Sequence, residues 1–252
     1  MDIRQVVKDG AYDLHMHTTA SDGALSPKEV VNKMKQLGKR TIAITDHDTM
    51  AGIEEAMAEG KRIGIHVIPG IELTTYYQGQ RIDILGYGLT ATTHLENVLK
   101  QIRHHREHRA SIIVEKFQQL GMNITMEDVH EFSKGGTIGR PHIAKAVVAK
   151  GYVKDIKTVF DLYLGDGKTC SVEKMALTPK EGIELIQGSK GVAVLAHPAV
   201  ISNQDMIEEL LEMGFDGIEV YHPLHNIDHE RRYMKCALHY NLFYSGGSDF
   251  HG

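Results

Sequence analysis

Seven short runs of apolar and β-branched residues, at 12–15, 41–45, 66–71, 82–87, 192–196, 217–221 and 242–245, constrain any fold of this chain. Runs of that length between turn signals read as strands, and most of them are separated by helical patterns. Several helices announce their own start. In SPKEVVNKMKQLG, Ser26 is an N-cap, Pro27 takes the first position, Glu29 completes a capping box and Gly38 marks the exit. TPKEGIELIQGSKG repeats the design with Thr178, Pro179, Glu181 and Gly188. Strands alternating with amphipathic helices point to βα units, and so to an α/β fold with a parallel sheet or barrel.

Residues 92–176 break this rhythm. They read as mostly helical, with a long helix over 94–120 and another over 139–151 that follows Gly135 and Gly136. The expected organisation is a barrel domain from 1–91 and 177–252, interrupted by a helical insertion at 92–176. A length of 252 residues suffices for one large domain with an insertion. A further helix over 226–240 has an apolar side that fits either the barrel wall or a dimer interface.

Composition removes several function classes. No stretch approaches the roughly 20 apolar residues of a membrane span, and the first residues lack the pattern of a secretory signal. Two cysteines, Cys170 and Cys236, provide neither a disulfide framework nor a metal-binding CxxC, which fits a reducing cytoplasm. A net charge of −5 argues against coating nucleic acid through the whole surface, though not against a local basic groove. The unusual count is 16 histidines, scattered without a tract.

Their positions carry the chemistry. The first strand runs into His15-Met16-His17, and a period of two puts both imidazoles on one face, close enough to share a metal. Asp22 follows a short loop, and the second strand ends in Thr45-Asp46-His47-Asp48. The third leads to Glu72 and the fourth contains Asp83. His197 closes the apolar VAVLA strand, and the last strand reaches Asp249 and His251. In parallel α/β folds the carboxyl ends of the strands share one rim, where active sites collect. Imidazole with carboxylate suits Mn²⁺, Fe²⁺ or Zn²⁺, and the lack of thiolates argues against structural zinc. Singly, each feature has an ordinary explanation: a lone HxH pair is weak, a His before Pro is usually structural, and Asp249 alone can cap a turn. For Asp46 and Asp48 the better reading is as N-caps of a helix beginning near Met50. Jointly, independent accidents would not all fall at strand ends.

In order, HMH with its following Asp, TDHD, PGIEL, AHP and GSDFHG resemble the polymerase and histidinol phosphatase (PHP) superfamily of metal-dependent phosphoesterases, over essentially the whole chain. The resemblance implies a distorted (β/α)₇ barrel with a helical insertion subdomain over the active site. RHHREHRA and GRPHIA in that insertion resemble the nucleotide-phosphatase branch, whose members act on nucleoside 3′,5′-bisphosphates and on the 5′ ends of short RNA. By the same resemblance His15, His17, Glu72 and Asp249 hold one metal, and Asp22, His47 and His251 a second. Glu72, Asp83 and His197 hold a third, with Glu72 bridging. The family usually has His where this chain has Asp83, which bears on the third metal's affinity. Two or three divalent cations are implied, Mn²⁺ first, with Zn²⁺ or Fe²⁺ as alternatives. Family members continue beyond the last of these residues, whereas this sequence stops at Gly252; truncation is expected to loosen the final strand and weaken the metal site.

Such cations activate a hydroxide and polarise the phosphoryl group, so no protein nucleophile is required. Ser248 lies in the rim without a sign of activation. The general acid is left open between a metal-bound water and a histidine, with His222 and His142 as candidates. Arg103, Arg106 and Arg109 recur every three residues on the long inserted helix. An isolated stripe reads as a solvated face, but guanidinium forks match phosphate oxygens, and the resemblance favours Arg103 and Arg106 as substrate contacts. Arg109 is left to pair with Glu107 or Glu115, or to face solvent. Gly139-Arg140-Pro141-His142 opens a helix whose first N–H groups suit a phosphate, with Arg140 and His142 adding charge and hydrogen bonds. The expected partner is a small phosphorylated nucleotide or short RNA end, with no membrane and no stable protein partner. The alternatives are a histidinol-phosphate-type phosphatase, a metal-dependent amidohydrolase, and a non-catalytic PHP-like module. No bridging lysine at a strand end supports the amidohydrolase, and a near-complete ligand set opposes the module.

Overall fold

The structure is a computed structural model and describes Val7 and residues 10–133, 138–165, 167–172 and 177–252. Gly135, Gly136 and residue 176, the expected end of the insertion, lie outside the described residues. Seven strands form one sheet in sequence order: β1 (Tyr12–Asp13), β2 (Thr41–Ile44), β3 (His66–Tyr77), β4 (Gln80–Tyr87), β5 (Val192–Leu195), β6 (Gly217–Tyr221) and β7 (Phe243–Gly246). The seam between first and last strands is drawn together by Leu14 N–H donating to the Gly246 carbonyl at 3.2 Å and His17 N–H to the Phe250 carbonyl at 2.8 Å. The result is an α/β fold around a nearly closed seven-stranded barrel.

The expectation of parallel strands fails at one place. β4 runs antiparallel to both β3 and β5, whereas the other neighbours are parallel. A parallel crossover needs a dozen or more residues, but β3 and β4 are joined only by Gln78 and Gly79, with φ of 47° and 77°. Two left-handed residues make the tight turn whose twist matches a hairpin. Both strands therefore extend through the segment between the expected runs, and Glu72 lies within β3 instead of after it.

Alternation along the strands separates two cores. Leu14, Ala43, Ile68, Leu85, Val194 and Ala196 cluster inside the barrel. Ile42, Ile44 and Val67 point the other way and meet Val30, Val31 and Met34 of α1 (Pro27–Gln36) and Ala56 of α2 (Ile53–Ile63). Burial on both faces explains why these strands are apolar throughout. The capping box at Ser26 forms, with Ser26 N–H donating to Glu29 Oε2 at 2.8 Å.

The chain divides into two compact units, Met1–Glu96 with Ala176–Gly252, and Asn97–Met175. The division falls within α3 (Thr93–Gln119), not at residue 92. The second unit contains most of α3, with α4 (Met126–Ser133), α5 (Arg140–Ala149) and α6 (Ile156–Val159). It has its own core: Ala110, Ile113, Val114 and Phe117, at helical spacing, meet Val129, Ile143 and Val147. The barrel unit continues with α7 (Pro179–Gly188), α8 (Met206–Leu211) and α9 (Ile227–His239). α7 starts on a second capping box, with Thr178 N–H donating to Glu181 Oε2 at 2.7 Å. α9 is capped by Asn226 and buries Tyr233 and Ala237, while Leu238 stays exposed. Among the described residues no helix is long and apolar enough to cross a membrane.

Candidate metal centre

Just beyond β1 the alternation shifts: Leu14 lies in the inner core, Met16 packs in the helix-facing core, and His15 and His17 are fully buried. Across the seam the chain must come very close to them. A Cβ on Gly247 would collide with the backbone nitrogen and Cβ of His15, so only glycine permits this approach.

Glu72 is the hub. Its Oε2 lies 3.4 Å from His15 Nε2, 3.2 Å from His17 Nε2 and 3.0 Å from His47 Nδ1, and its Oε1 lies 2.9 Å from His197 Nε2. Asp249 Oδ1 is 3.4 Å from His15 Nε2 and 3.3 Å from His17 Nε2. Asp22 faces His17, His47 and His251 at 3.6, 3.9 and 3.4 Å. Among the described residues four groups thus have ligand atoms within 4.8 Å of one another: His17–Asp22–His47–His251, His15–His17–Asp249, His15–Glu72–His197 and His15–Glu219–His222. They draw in eight of the nine residues expected to hold metal.

Asp83 is the exception. It comes within 3.9 Å of His197 Nε2, but Arg81 Nε donates to its carboxylate, 2.8 Å from Oδ1. The sequence R-I-D, with its period of two, already puts this pair on one face of β4.

The donor set fits cations. His15 Nε2, both nitrogens of His17 and His47 Nδ1 are buried without a hydrogen bond, although carboxylate oxygens lie 3.0–3.6 Å away. Lone pairs and oxygens face common space instead of each other, an arrangement that is costly unless a cation joins them. Burial works against ionised Glu72, Asp22 and Asp249, yet the surrounding imidazoles hold all three well below the usual carboxylate range. Burial also pushes the His17 imidazole down, but Asp249 and Glu72 outweigh it and lift it to about 9.

Glu219 is the residue that sequence reasoning missed. It is fully buried, its Oε1 accepts from His15 Nδ1 at 3.1 Å, and its Oε2 accepts from His197 N–H at 2.7 Å. Holding Nδ1–H turns the Nε2 lone pair of His15 toward Glu72 and Asp249, as carboxylates behind metal-binding histidines do. The bond from His197 N–H to Glu219 Oε2 helps hold His197 at φ 24°, a left-handed conformation that typically costs about 1–3 kcal/mol. A lone acid in the apolar run GIEVY was the available signal. His222 has a related role: its Nδ1 accepts from Leu224 N–H at 3.1 Å, so Nε2 carries the proton and faces Asp249 Oδ2 at 3.5 Å.

Asp46 and Asp48 are not helix caps. α2 begins at Ile53 on Gly52, with no side-chain cap. Asp46 accepts from Thr18 N–H, Thr18 Oγ1 and Ser21 Oγ at 2.7, 2.8 and 2.6 Å, fixing the loop that carries Asp22. Asp48, at φ 51°, accepts from Thr74 N–H at 2.9 Å and ties the His47 loop to β3. Ser248 N–H donates to Asp13 Oδ1 at 2.9 Å.

The expected substrate contacts all belong to the helical unit. Arg103 and Arg106 lie on α3, where Arg109 Nε donates to the Val172 carbonyl at 2.7 Å. Arg140 donates to the Leu164 carbonyl at 3.0 Å, with its guanidinium 5.9 Å from the centre of the Phe160 ring. His142 is buried, and its Nδ1 accepts from Gly139 N–H at 3.1 Å, so one N–H of the expected phosphate cradle is already capped.

Known proteins resemble this chain. The chain is 34% identical to the 5′-3′ exoribonuclease Rnm of Escherichia coli, over 95% of this chain and 85% of that protein. It is 30% identical to a phosphoribosyl 1,2-cyclic phosphate 1,2-diphosphodiesterase of Eggerthella lenta (95% and 94% covered). It is 33% identical to a 3′,5′-nucleoside bisphosphate phosphatase of Chromobacterium violaceum (95% and 86% covered). A solved protein of Bifidobacterium adolescentis assigned to the metal-dependent phosphoesterases superposes with a TM-score of 0.87 at 30% identity, covering 96% of this chain and 87% of that one. With the PHP domain model matching residues 13–190, which include five of the eight clustered residues expected to hold metal, the chain belongs to the PHP domain family.

Proposed function

We propose that this protein is a metal-dependent phosphoester hydrolase acting on nucleotides, with a nucleoside 3′,5′-bisphosphate or the 5′ end of a short RNA as substrate. The observation that carries the reading is the ring of unsatisfied imidazole nitrogens around Glu72. We assign His15, His17, Asp22, His47, Glu72, His197, Asp249 and His251 to two or three divalent cations, Mn²⁺ first. When bound, such cations supply Lewis acidity toward a phosphoryl oxygen and a water nucleophile at neutral pH. The chain's own groups do the positioning. Glu219 fixes the ring of His15, Asp46 fixes the Asp22 loop, and His222 directs its proton at Asp249. Arg103, Arg106, Arg140 and His142 are assigned to substrate recognition, as guanidinium and imidazole donors suited to phosphate. The nucleotide preference rests on the exoribonuclease and bisphosphate phosphatase relatives.

The test is phosphate release from adenosine 3′,5′-bisphosphate by Mn²⁺-loaded protein, with His17→Ala as control and the cyclic phosphoribosyl ester and a 5′-phosphorylated oligoribonucleotide as comparison substrates. Release that vanishes in the variant supports the reading. Turnover of the cyclic ester alone would move the substrate away from nucleotides, and no turnover of any by a folded, loaded protein would reject hydrolysis of these esters.

A further inference from the structure

The β3–β4 hairpin carries a cation of its own beside the centre. Its cross-strand pairs Glu72–Leu85, Thr74–Asp83 and Tyr76–Arg81 lie on one face, because paired residues share a face and successive pairs two residues apart repeat it. The opposite face, with Leu73, Thr75 and Ile84, is covered by α7 at Gly182. Starting from Glu72, this face climbs through Asp83 to Arg81 at the third level. Asp83 is buried, whereas the Arg81 side chain is 46% exposed.

Only one part of the guanidinium is engaged. Nε donates to Asp83, 2.8 Å from Oδ1 and 2.6 Å from Oδ2, while neither terminal nitrogen has a bonded acceptor among the described residues. A guanidinium held at Nε presents its two terminal nitrogens as a fixed fork, the geometry that matches two oxygens of one phosphate. Burial opposes the Arg81 charge, but Asp83 and Glu72 outweigh it and keep the group protonated.

We propose that Arg81 is a phosphate-binding residue of this centre and that Asp83 is its positioning residue, not a metal ligand. The proposal rests on the phosphoesterase reading and deepens it by naming what grips the phosphate on the barrel's own wall. The alternative is that Arg81 merely neutralises Asp83.

The two are separated by inorganic phosphate binding to the Mn²⁺-loaded full chain, followed by calorimetry, together with metal content by elemental analysis. Arg81→Ala and Arg81→Gln, the second keeping most of the side-chain bulk, should each weaken phosphate binding and raise KM for the bisphosphate by roughly tenfold or more. Metal content should stay at the wild-type value, and Arg81→Lys should restore part of the affinity. Asp83→Asn should raise KM more than it lowers kcat, again at full metal content. Wild-type phosphate affinity in folded Arg81→Ala and Arg81→Gln would overturn the role of Arg81. Loss of one ion per chain in Asp83→Asn would overturn the role of Asp83. Wild-type protein that neither binds phosphate nor hydrolyses any ester would instead overturn the phosphoesterase reading beneath both.

Discussion

The two flanks of the metal centre are built differently. On the inner flank, His15, His17 and Glu72 sit on or directly beyond strands, with side-chain exposures of 0, 0 and 2%. On the outer flank, Asp22, His47 and His251 stand on loops, at 25, 14 and 40%. The inner His15 imidazole has a fixed support in Glu219, whereas the Asp22 loop is held by the hydrogen bonds of Asp46. Strand-mounted groups keep one geometry, and loop-mounted groups can follow a substrate as it arrives and leaves. The inner flank is therefore expected to bind its cation more tightly than the outer.

The largest effect should come from breaking the element common to both. Glu72→Gln removes the charge facing His15, His17, His47 and His197. It is expected to lower kcat by about 10²–10³-fold and to empty both flanks in elemental analysis. Retained metal on either flank would mean that Glu72 is not the shared hub. Glu219→Gln acts on the inner flank alone, weakening its metal affinity by about 10–100-fold. A titration showing equal weakening of both sites would erase the proposed difference. His251→Ala acts on the outer flank, taking one ion per chain with it. Because His251 is partly exposed, metal-free stability should change by about 0.5 kcal/mol or less, checked by urea denaturation.

A pH profile sharpens the comparison without mutation. In the metal-free chain the His17 imidazole is raised from its ordinary 6.5 to about 9. Its contribution to stability is fully present below 6.5 and is lost as pH rises through about 9. The melting temperature in chelator should fall across that window, and saturation with Mn²⁺ should flatten the curve, because the metal takes the proton's place. A metal-free curve that is already flat would show that His17 does not hold this proton.

What the sequence makes legible depends on how far apart the interacting residues lie. HMH, GSDFHG and the capping boxes declare themselves because their spacing matches a strand or helix period. Glu219 did not, because its meaning depends on His15, more than two hundred residues away. The antiparallel β4 was encoded locally by Gln78-Gly79, but a Gln before Gly is a weaker turn signal than Asn or Asp before Gly. Asp46 and Asp48 have the composition of helix caps, and only tertiary structure reveals that their acceptors serve Thr18, Ser21 and Thr74. Asp83 has the chemistry of a ligand, and its pairing with Arg81 follows from the period of two in R-I-D.

The seam between β1 and β7 gives the cations a second role. His17 N–H reaches the Phe250 carbonyl and Ala24 N–H the His251 carbonyl, while His15, His17 and Asp22 share cation space with Asp249 and His251. An ion bound there would act as a clasp across segments distant in sequence, closing a very long loop and reducing the freedom of the open form. Occupancy should then be readable far from any substrate, as slower hydrogen exchange at the His17 and Ala24 amides. The centre would serve as a gauge of whether the barrel is shut.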